Sequence, residues 1–275
     1  MMRTGRTLPL RLTAIVVSVL ALTACAPASP SSSGSITLPQ PGGVPDYQLG
    51  VAYPPAADVR IVGRDRSAEP AEGLYSICYV NGFQTQPDER GLWPDEVLLQ
   101  TAEGEPFIDP DWPDEVILDT SAPDKRAAIV EIVGPWVEGC AASGFDAVEF
   151  DNLDTFTRTD GALTVDDNLA LATALVEVAH RAGLAVGQKN AAEFADRLRS
   201  DAGFDFAVTE ECAAFEECPS YTEVYGAAVI DIEYTDALPR PFDEMCRDPD
   251  SPASMVLRDR LLGEPGDDDY AFEVC

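Results

Sequence analysis

The residues best suited to chemistry cluster in Gly144-Phe145-Asp146-Ala147-Val148-Glu149-Phe150-Asp151-Asn152-Leu153-Asp154. Its centre, AVEFD, reads as a β-strand, on which alternate side chains point to opposite faces. Val148 and Phe150 then share an apolar face, and Ala147, Glu149 and Asp151 share the other. A carboxylate on an inner face is costly unless it is paired or solvated. Other apolar runs also end in polar groups: Lys189-Asn190, Glu210-Glu211, Tyr79-Val80-Asn81, and Asp231 and Glu233 alternating with Ile230 and Ile232. One acid at a strand end is usually a solvated loop residue. Convergence from four strands points to a shared site. Two carboxylates flanking one bond, one acting as acid and the other as nucleophile or base, are what glycosidic cleavage requires. Apposed acids push each other's pKa values apart, which supplies one protonated and one ionised group.

Rival chemistries fit less well. Asp151, Asn152 and Asp154 are oxygen donors suited to Ca²⁺ or Mg²⁺, but they lack EF-hand spacing. The single histidine, His180, falls near the C-terminus of an expected helix, remote from any strand end. That argues against a Ser-His-Asp triad and against multi-histidine metal sites. No metal or other cofactor is expected.

These strand ends need a scaffold. Strands are expected at Tyr47–Val51, Val59–Val62, Leu74–Asn81, Ala147–Asp151, Ala185–Lys189, Phe204–Thr209, Ala228–Tyr234 and Ser254–Arg258. Strands alternating with helical stretches predict a parallel sheet. Eight in a domain of this size predict an α/β fold of the (β/α)8 TIM-barrel type, whose active face lies at the C-terminal strand ends. The runner-up is an open doubly wound sheet, but no glycine-rich phosphate loop follows the first strand. Ile129, Ile132, Val133, Trp136, Val137 and Cys140 give one helix an apolar stripe, which Pro135 is expected to kink or interrupt. A second helix is expected to start after Thr164 as cap and to end at Gly183. The long segment Phe83–Glu115 is either a wall of the cleft or an excursion packed by Trp93 and Trp112. Glu210 shares the parity of apolar Phe204, Phe206 and Val208, so its inward orientation is expected to depend on the strand ending or twisting there.

The ends and composition set the compartment. Arg3, Arg6 and Arg11 precede the apolar stretch Thr13–Leu22, which runs into Leu22-Thr23-Ala24-Cys25. This is a signal-peptide pattern, and the Cys after small residues resembles a bacterial lipobox with Cys25 as the lipidated residue. Residues 1–24 are read as signal peptide, 25–43 as lipidated Cys and flexible Ser/Pro/Gly linker, and 44–275 as one barrel domain. The expected location is the extracellular face of the cell membrane, as an anchored monomer. Six cysteines remain, and an even number in an exported chain favours disulfides. Cys212 with Cys218 closes a short loop, Cys246 with Cys275 pins the tail, and Cys78 with Cys140 is then left. A zinc site is the alternative, although no CxxC occurs. The net charge is −31. Loss of residues 1–24 removes three arginines and no acid, leaving −34. Such a chain repels nucleic acid and attracts cations. Solubility alone could account for the charge, as could a polycationic substrate.

The motifs YQLG at Tyr47, ICY at Ile77, GFDAVEFDNLD at Gly144, GQKN at Gly187, FDFAVTEEC at Phe204 and IEY at Ile232 together resemble glycoside hydrolase family 114, the endo-α-1,4-polygalactosaminidases. The resemblance runs from about Tyr47 to the strand near Val256. It implies a retaining endo-glycosidase acting on cationic or partly acetylated α-1,4-linked galactosamine polysaccharide. It places the nucleophile at Asp151 and the acid/base at Glu210. Glu149, Lys189, Asn190 and Glu233 match positions that line such pockets. Tyr47, Tyr79, Asn81, Asn152, Asp154 and Tyr234 complete the candidate substrate-binding set. Three features depart from the pattern: Asp46 in place of an aromatic, Thr209 in place of an Asn, and the continuation NGFQTQP after the third strand. The alternatives are a carbohydrate-binding lipoprotein without turnover and a hydrolase of another α-linked glycan.

Overall fold

In the computed structural model, which describes residues 36–275 together with 1, 2 and 5, eight parallel strands follow one another in chain order. They are β1 (Val44–Gln48), β2 (Val59–Asp65), β3 (Tyr75–Asn81), β4 (Ala147–Asp151), β5 (Ala185–Lys189), β6 (Phe206–Glu210), β7 (Val229–Tyr234) and β8 (Ser254–Arg258). A ninth, β9 (Phe272–Val274), adds antiparallel to β8. The expected signal peptide, Cys25 and the first part of the linker lie outside the described residues.

Several boundaries shift from expectation, among them the start of β1 at Val44, the end of β2 at Asp65 and the start of β6 at Phe206, and two shifts bear on the site. β1 ends at Gln48 because the chain must turn at Gly50, where an added Cβ would lie 2.4 Å from the Leu261 carbonyl oxygen. β6 reaches Glu210, so the acid belongs to the strand and not to the loop.

The helices lie between β3 and β8: α1 (Pro123–Ser143), α2 (Val165–Ala182), α3 (Ala195–Arg197), α4 (Cys218–Tyr225) and α5 (Phe242–Met245). α1 starts with Pro at its first position, as the missing N–H allows there, and it runs through Pro135 without interruption. Thr164 and Asp167 form a reciprocal capping box on α2, and Gly183 ends it at φ 86°. His180, at that end, meets Asp205 at 2.8 Å and has no part in the carboxylate-lined strand ends.

Apolar side chains sort into two layers. Val148, Phe150, Val186, Ala207 and Val229 face the helices. Tyr47, Ile61, Ile77, Ala147, Phe206, Val208, Ile230 and Ile232 fill the barrel interior. Interior filling explains one glycine in GQKN. A Cβ on Gly187 would lie 2.7 Å from the Phe206 ring, so only glycine leaves that ring its place. No ladder joins β8 to β1; the buried Arg258 guanidinium holds that seam, bonding Asp46 at 3.0 Å and the Tyr47 carbonyl. Asp46, one of the departures from the family pattern, thereby has a structural use.

The cysteines pair as Cys78–Cys140, Cys212–Cys218 and Cys246–Cys275. None of these six, the cysteines among the described residues, is then a free thiolate for zinc. Each bridge removes freedom from the unfolded chain, worth roughly 2–4 kcal/mol in typical cases.

Candidate active site

β4, β5 and β6 bring three charged side chains to one point at the C-terminal mouth of the barrel. Lys189 Nζ lies 3.3 Å from Asp151 Oδ2 and 3.0 Å from Glu210 Oε2. The Lys189 side chain is 2 % exposed, and its ammonium sits near the rings of Tyr47 and Tyr79, 5.6 and 5.8 Å from their centroids. An aromatic face and two anions make a favourable seat for a buried cation. Burial alone would lower the Lys189 pKa. Asp151, Glu210 and Glu149 outweigh it and raise it, so the side chain stays charged.

Strand alternation alone orients both carboxylates. Ala147, Glu149 and Asp151 point inward, as expected. Phe206, Val208 and Glu210 also form one inward row, because the lower layers of the barrel are apolar. The apolar parity that made Glu210 look misplaced is the interior itself, and no twist is needed.

The partners of the pair are well defined. Tyr79 donates to Asp151 Oδ2 at 2.8 Å, and the Asn152 amide donates to Asp151 Oδ1 at 2.7 Å. Tyr234 donates to Glu210 Oε1, and Asn190 donates to Oε2 at 3.1 Å. Asn190 also accepts from the Glu210 amide at 2.8 Å, so one side chain fixes both ends of that residue. Burial would raise the Glu210 pKa. The Lys189 ammonium and the hydrogen bonds of Tyr234 and Asn190 override it and hold the value at about 2. Beneath the pair lies Glu149, fully buried, accepting from Tyr47 and keeping Oε2 without a donor. Burial, only partly offset by Lys189 and Tyr47, lifts its pKa to about 7.

Further out, Asn152 and Asp154 lie along the rim. Arg158 ties them together, donating to Asp154 at 2.9 Å and to Asn152 Oδ1 at 3.3 Å. Asn152 and Asn190 both take left-handed backbone, at φ 64° and 52°, which asparagine tolerates better than most residues. Asn81 is buried and reaches the site through Glu115, to which it donates at 3.2 Å.

Glu233 is not among them. Ile230 and Ile232 take the interior positions of β7, which turns Asp231 and Glu233 toward the helices. The expectation that Glu233 lines the pocket is corrected: it bonds the amides of Ala213 and Ala214 behind the sheet.

Residues that sequence reasoning missed complete the cleft. Asp111, Trp112, Glu115 and Arg158 line it with Tyr79, Asp151, Asn152, Asp154, Asn190 and Glu210. Both readings of the Phe83–Glu115 segment hold in part. Trp93 is buried edge-to-face on Trp136, whereas Trp112 is 58 % exposed at the cleft. The signal was present as an aromatic flanked by acids, Asp-Trp-Pro-Asp-Glu, in a loop on the active face.

A network of this kind on a barrel invites comparison with known proteins, and the sequence pattern of glycoside-hydrolase family GH114 matches residues 26–275. The chain belongs to this family. It is a glycoside hydrolase. Among solved structures, it is similar to Aspergillus fumigatus Ega3 in complex with galactosamine, at 21 % identity and a TM-score of 0.71, covering 88 % of this chain and 98 % of that one. The glycoside hydrolase domain of PelA from Pseudomonas aeruginosa is also similar, at 14 % identity and a TM-score of 0.56, covering 84 % and 97 %. At these identities the likeness concerns the fold. No curated relative matches the chain. The barrel and the family expected from the motifs are both borne out.

Proposed function

We propose that this hydrolase is a secreted, lipid-anchored retaining endo-glycosidase that cleaves α-1,4-linked galactosamine polysaccharide, with Asp151 as nucleophile and Glu210 as acid/base. The observation that carries the reading is the single ammonium shared by the two carboxylates. One nitrogen touching both caps the separation of those oxygens at about 6.3 Å, the sum of the two contacts. Retaining glycosidases keep their carboxyls about 5 to 5.5 Å apart, and inverting ones about 6.5 to 9.5 Å. A bound of this size on the nearest oxygens supports the retaining arrangement.

In this mechanism Asp151 attacks the anomeric carbon and Glu210 protonates the leaving oxygen. Glu210 then takes a proton from water as that water attacks the glycosyl ester. The free enzyme holds Glu210 ionised, the form that the second half-reaction needs. For the first half it must gain a proton, and desolvation by a bound sugar favours that uptake. Galactosamine in the Ega3 complex supports an amino-sugar substrate. The acids Asp111, Glu115 and Asp154 at the cleft suit a cationic chain. If field attraction assists binding, KM on deacetylated polymer rises with ionic strength. A KM independent of salt would remove the electrostatic argument for the charge.

The three disulfides suit an oxidising compartment. The anchor is tested by fatty-acid labelling, which Cys25→Ala should abolish. The activity is tested by mass spectrometry of products from deacetylated and acetylated galactosaminoglycan. Oligomers of even charge spacing are expected from the deacetylated chain. Cleavage surviving in both Asp151→Asn and Glu210→Gln would show the pair to be misassigned.

A further inference from the structure

β7 carries two carboxyls on the face turned away from the catalytic pair. Asp231 and Glu233, two positions apart and so on one face of the strand, are fully buried. Each keeps one oxygen, Asp231 Oδ2 and Glu233 Oε2, without a protein donor. Their other oxygens are occupied. Asp231 Oδ1 accepts from Thr209 Oγ1 at 2.8 Å and from the Cys212 amide at 3.1 Å. Glu233 Oε1 accepts from the Ala213 amide at 2.9 Å and the Ala214 amide at 3.1 Å. Three successive amides of the turn after Glu210 therefore converge on two carboxyls, the arrangement of an anion-binding backbone nest.

Two bare carboxylates cannot lie side by side, buried and without a cation, whereas one proton between the free oxygens satisfies both. Among the described residues, no cation bonds either group. On β6 the facing polar side chain is Thr209, and on α4 the titratable group is the Tyr221 hydroxyl, itself raised by burial, Glu217 and Asp231. The register partners on β8 are apolar Met255 and Leu257. Four further charged groups, Glu216, Arg240, Asp248 and Asp250, line a cavity that Cys212 and Ala213 also border.

We propose that Asp231 and Glu233 share one proton and act as positioning residues, holding the turn that follows Glu210, so that loss of the proton at alkaline pH releases it. The turn needs a hold, because Glu211 sits at φ 61° with a side chain that disfavours left-handed backbone. Thr209, a departure from the family pattern, supplies one of the four donors. Burial first and Asp231 second push the Glu233 carboxyl up to about 9, and burial lifts Asp231 to about 6 despite its donors.

The inference rests on the reading of Glu210 as acid/base, but its test needs no substrate. Carboxyl-¹³C NMR of glutamate-labelled protein, assigned with Glu233→Gln, should show one resonance protonated at pH 7 and titrating near pH 9. Amide protection at Cys212, Ala213 and Ala214 should fall at least about tenfold through that step in the wild type, beyond the base-catalysed change. Glu233→Gln, whose NH₂ replaces the acid proton at every pH, should keep that protection. A Glu233 carboxyl ionised at pH 7, or protection unchanged through its titration, overturns the proposal. In turnover, Glu233→Ala should lower kcat about tenfold with KM little changed, and Glu233→Gln should recover most of it. Equal losses in the two variants would count against a shared proton. Failure of polymer cleavage in the wild type would overturn the functional reading and leave the NMR result standing.

Discussion

β4 and β7 carry the same pattern in opposite phase. In AVEFD the acids Glu149 and Asp151 point into the barrel, toward Lys189. In VIDIEY the acids Asp231 and Glu233 point out toward the helices, and Ile230 and Ile232 fill the interior. One pair meets a cation and the cleft; the other meets backbone amides and its own partner. Alternation defines two faces of a strand, but which face is inside depends on what the neighbouring strands contribute to each layer. β6 supplies Phe206 and Val208 to the layers that Ile230 and Ile232 complete. Small Ala147 and Ala185 on β4 and β5, with Gly187, leave room for the Phe206 ring and for Glu149.

The sharpest way to break this comparison is to remove charge from each pair in turn. Asp151→Asn should lower kcat by about 10³-fold or more, as loss of a nucleophile does. Asp231→Asn keeps the shape and the shared hydrogen bond, and should cost no more than about tenfold. Initial rates on deacetylated polymer decide it. Equal losses would mean that the outward pair touches the reaction. Lys189→Met comes next. It leaves Glu149, Asp151 and Glu210 crowded without their cation, and uncompensated buried charge of this kind costs about 3–5 kcal/mol of stability. Glu210 should then titrate well above its present value of about 2, and because glycosylation needs it protonated, the basic limb of kcat/KM should move to higher pH. Urea denaturation and a pH–rate profile read the two effects separately. An unmoved basic limb would show that Lys189 does not set the Glu210 charge.

How much of this was legible follows from the same contrast. The eight strands and the cap at Thr164 come from local signals, apolar runs and capping residues, and the disulfides from an even cysteine count and what each pairing leaves over. Strand alternation places Asp151 at a strand end, whereas Glu210 is singled out mainly by the family resemblance. The resemblance places Glu233 in the pocket, whereas the phase of Ile230 and Ile232 on the same strand turns it outward. Glu210 looked doubtful because apolar parity was equated with the helix-facing side, although a barrel core is apolar too. Arg158 carries no local signal, and Glu115 shows only as the last acid of a loop that could form a wall of the cleft. They reach the cleft from loops whose path depends on long-range packing, such as Leu99 and Ile117 against Leu163.

Glu149 offers a smaller effect on stability. Its carboxyl is raised from the usual 4.5 to about 7, so the folded state holds its proton more tightly than the unfolded chain does. Stability from this group is fully present below about pH 4.5 and is lost as pH rises through about 7. Glu149→Gln removes that loss. The wild type should therefore lose more stability than the variant between pH 4.5 and pH 8, by an amount of the order of 3 kcal/mol. Parallel thermal melts at the two pH values measure it. Equal slopes would mean that Glu149 is already ionised at the lower pH, held so by Lys189.

The smallest effect tests whether the cleft extends beyond the carboxylates. Trp112 keeps 58 % of its surface exposed at the mouth, where no packing requires so large an apolar side chain. A sugar ring stacked on an aromatic face recovers that exposed area on binding, and contacts made equally in ground and transition states change KM without changing kcat. Trp112→Ala should therefore raise KM on polymer about three- to tenfold and leave kcat within about twofold. The burial of Trp93 against Trp136, at 5.5 Å between centroids, gives the control. Trp93→Ala should lower the melting temperature, as loss of a buried aromatic does, whereas Trp112→Ala should leave it unchanged. A Trp112 variant with unaltered KM would confine substrate binding to the strand ends. A fall in kcat would instead tie Trp112 to the positioning of Asp151 through the cleft wall they share.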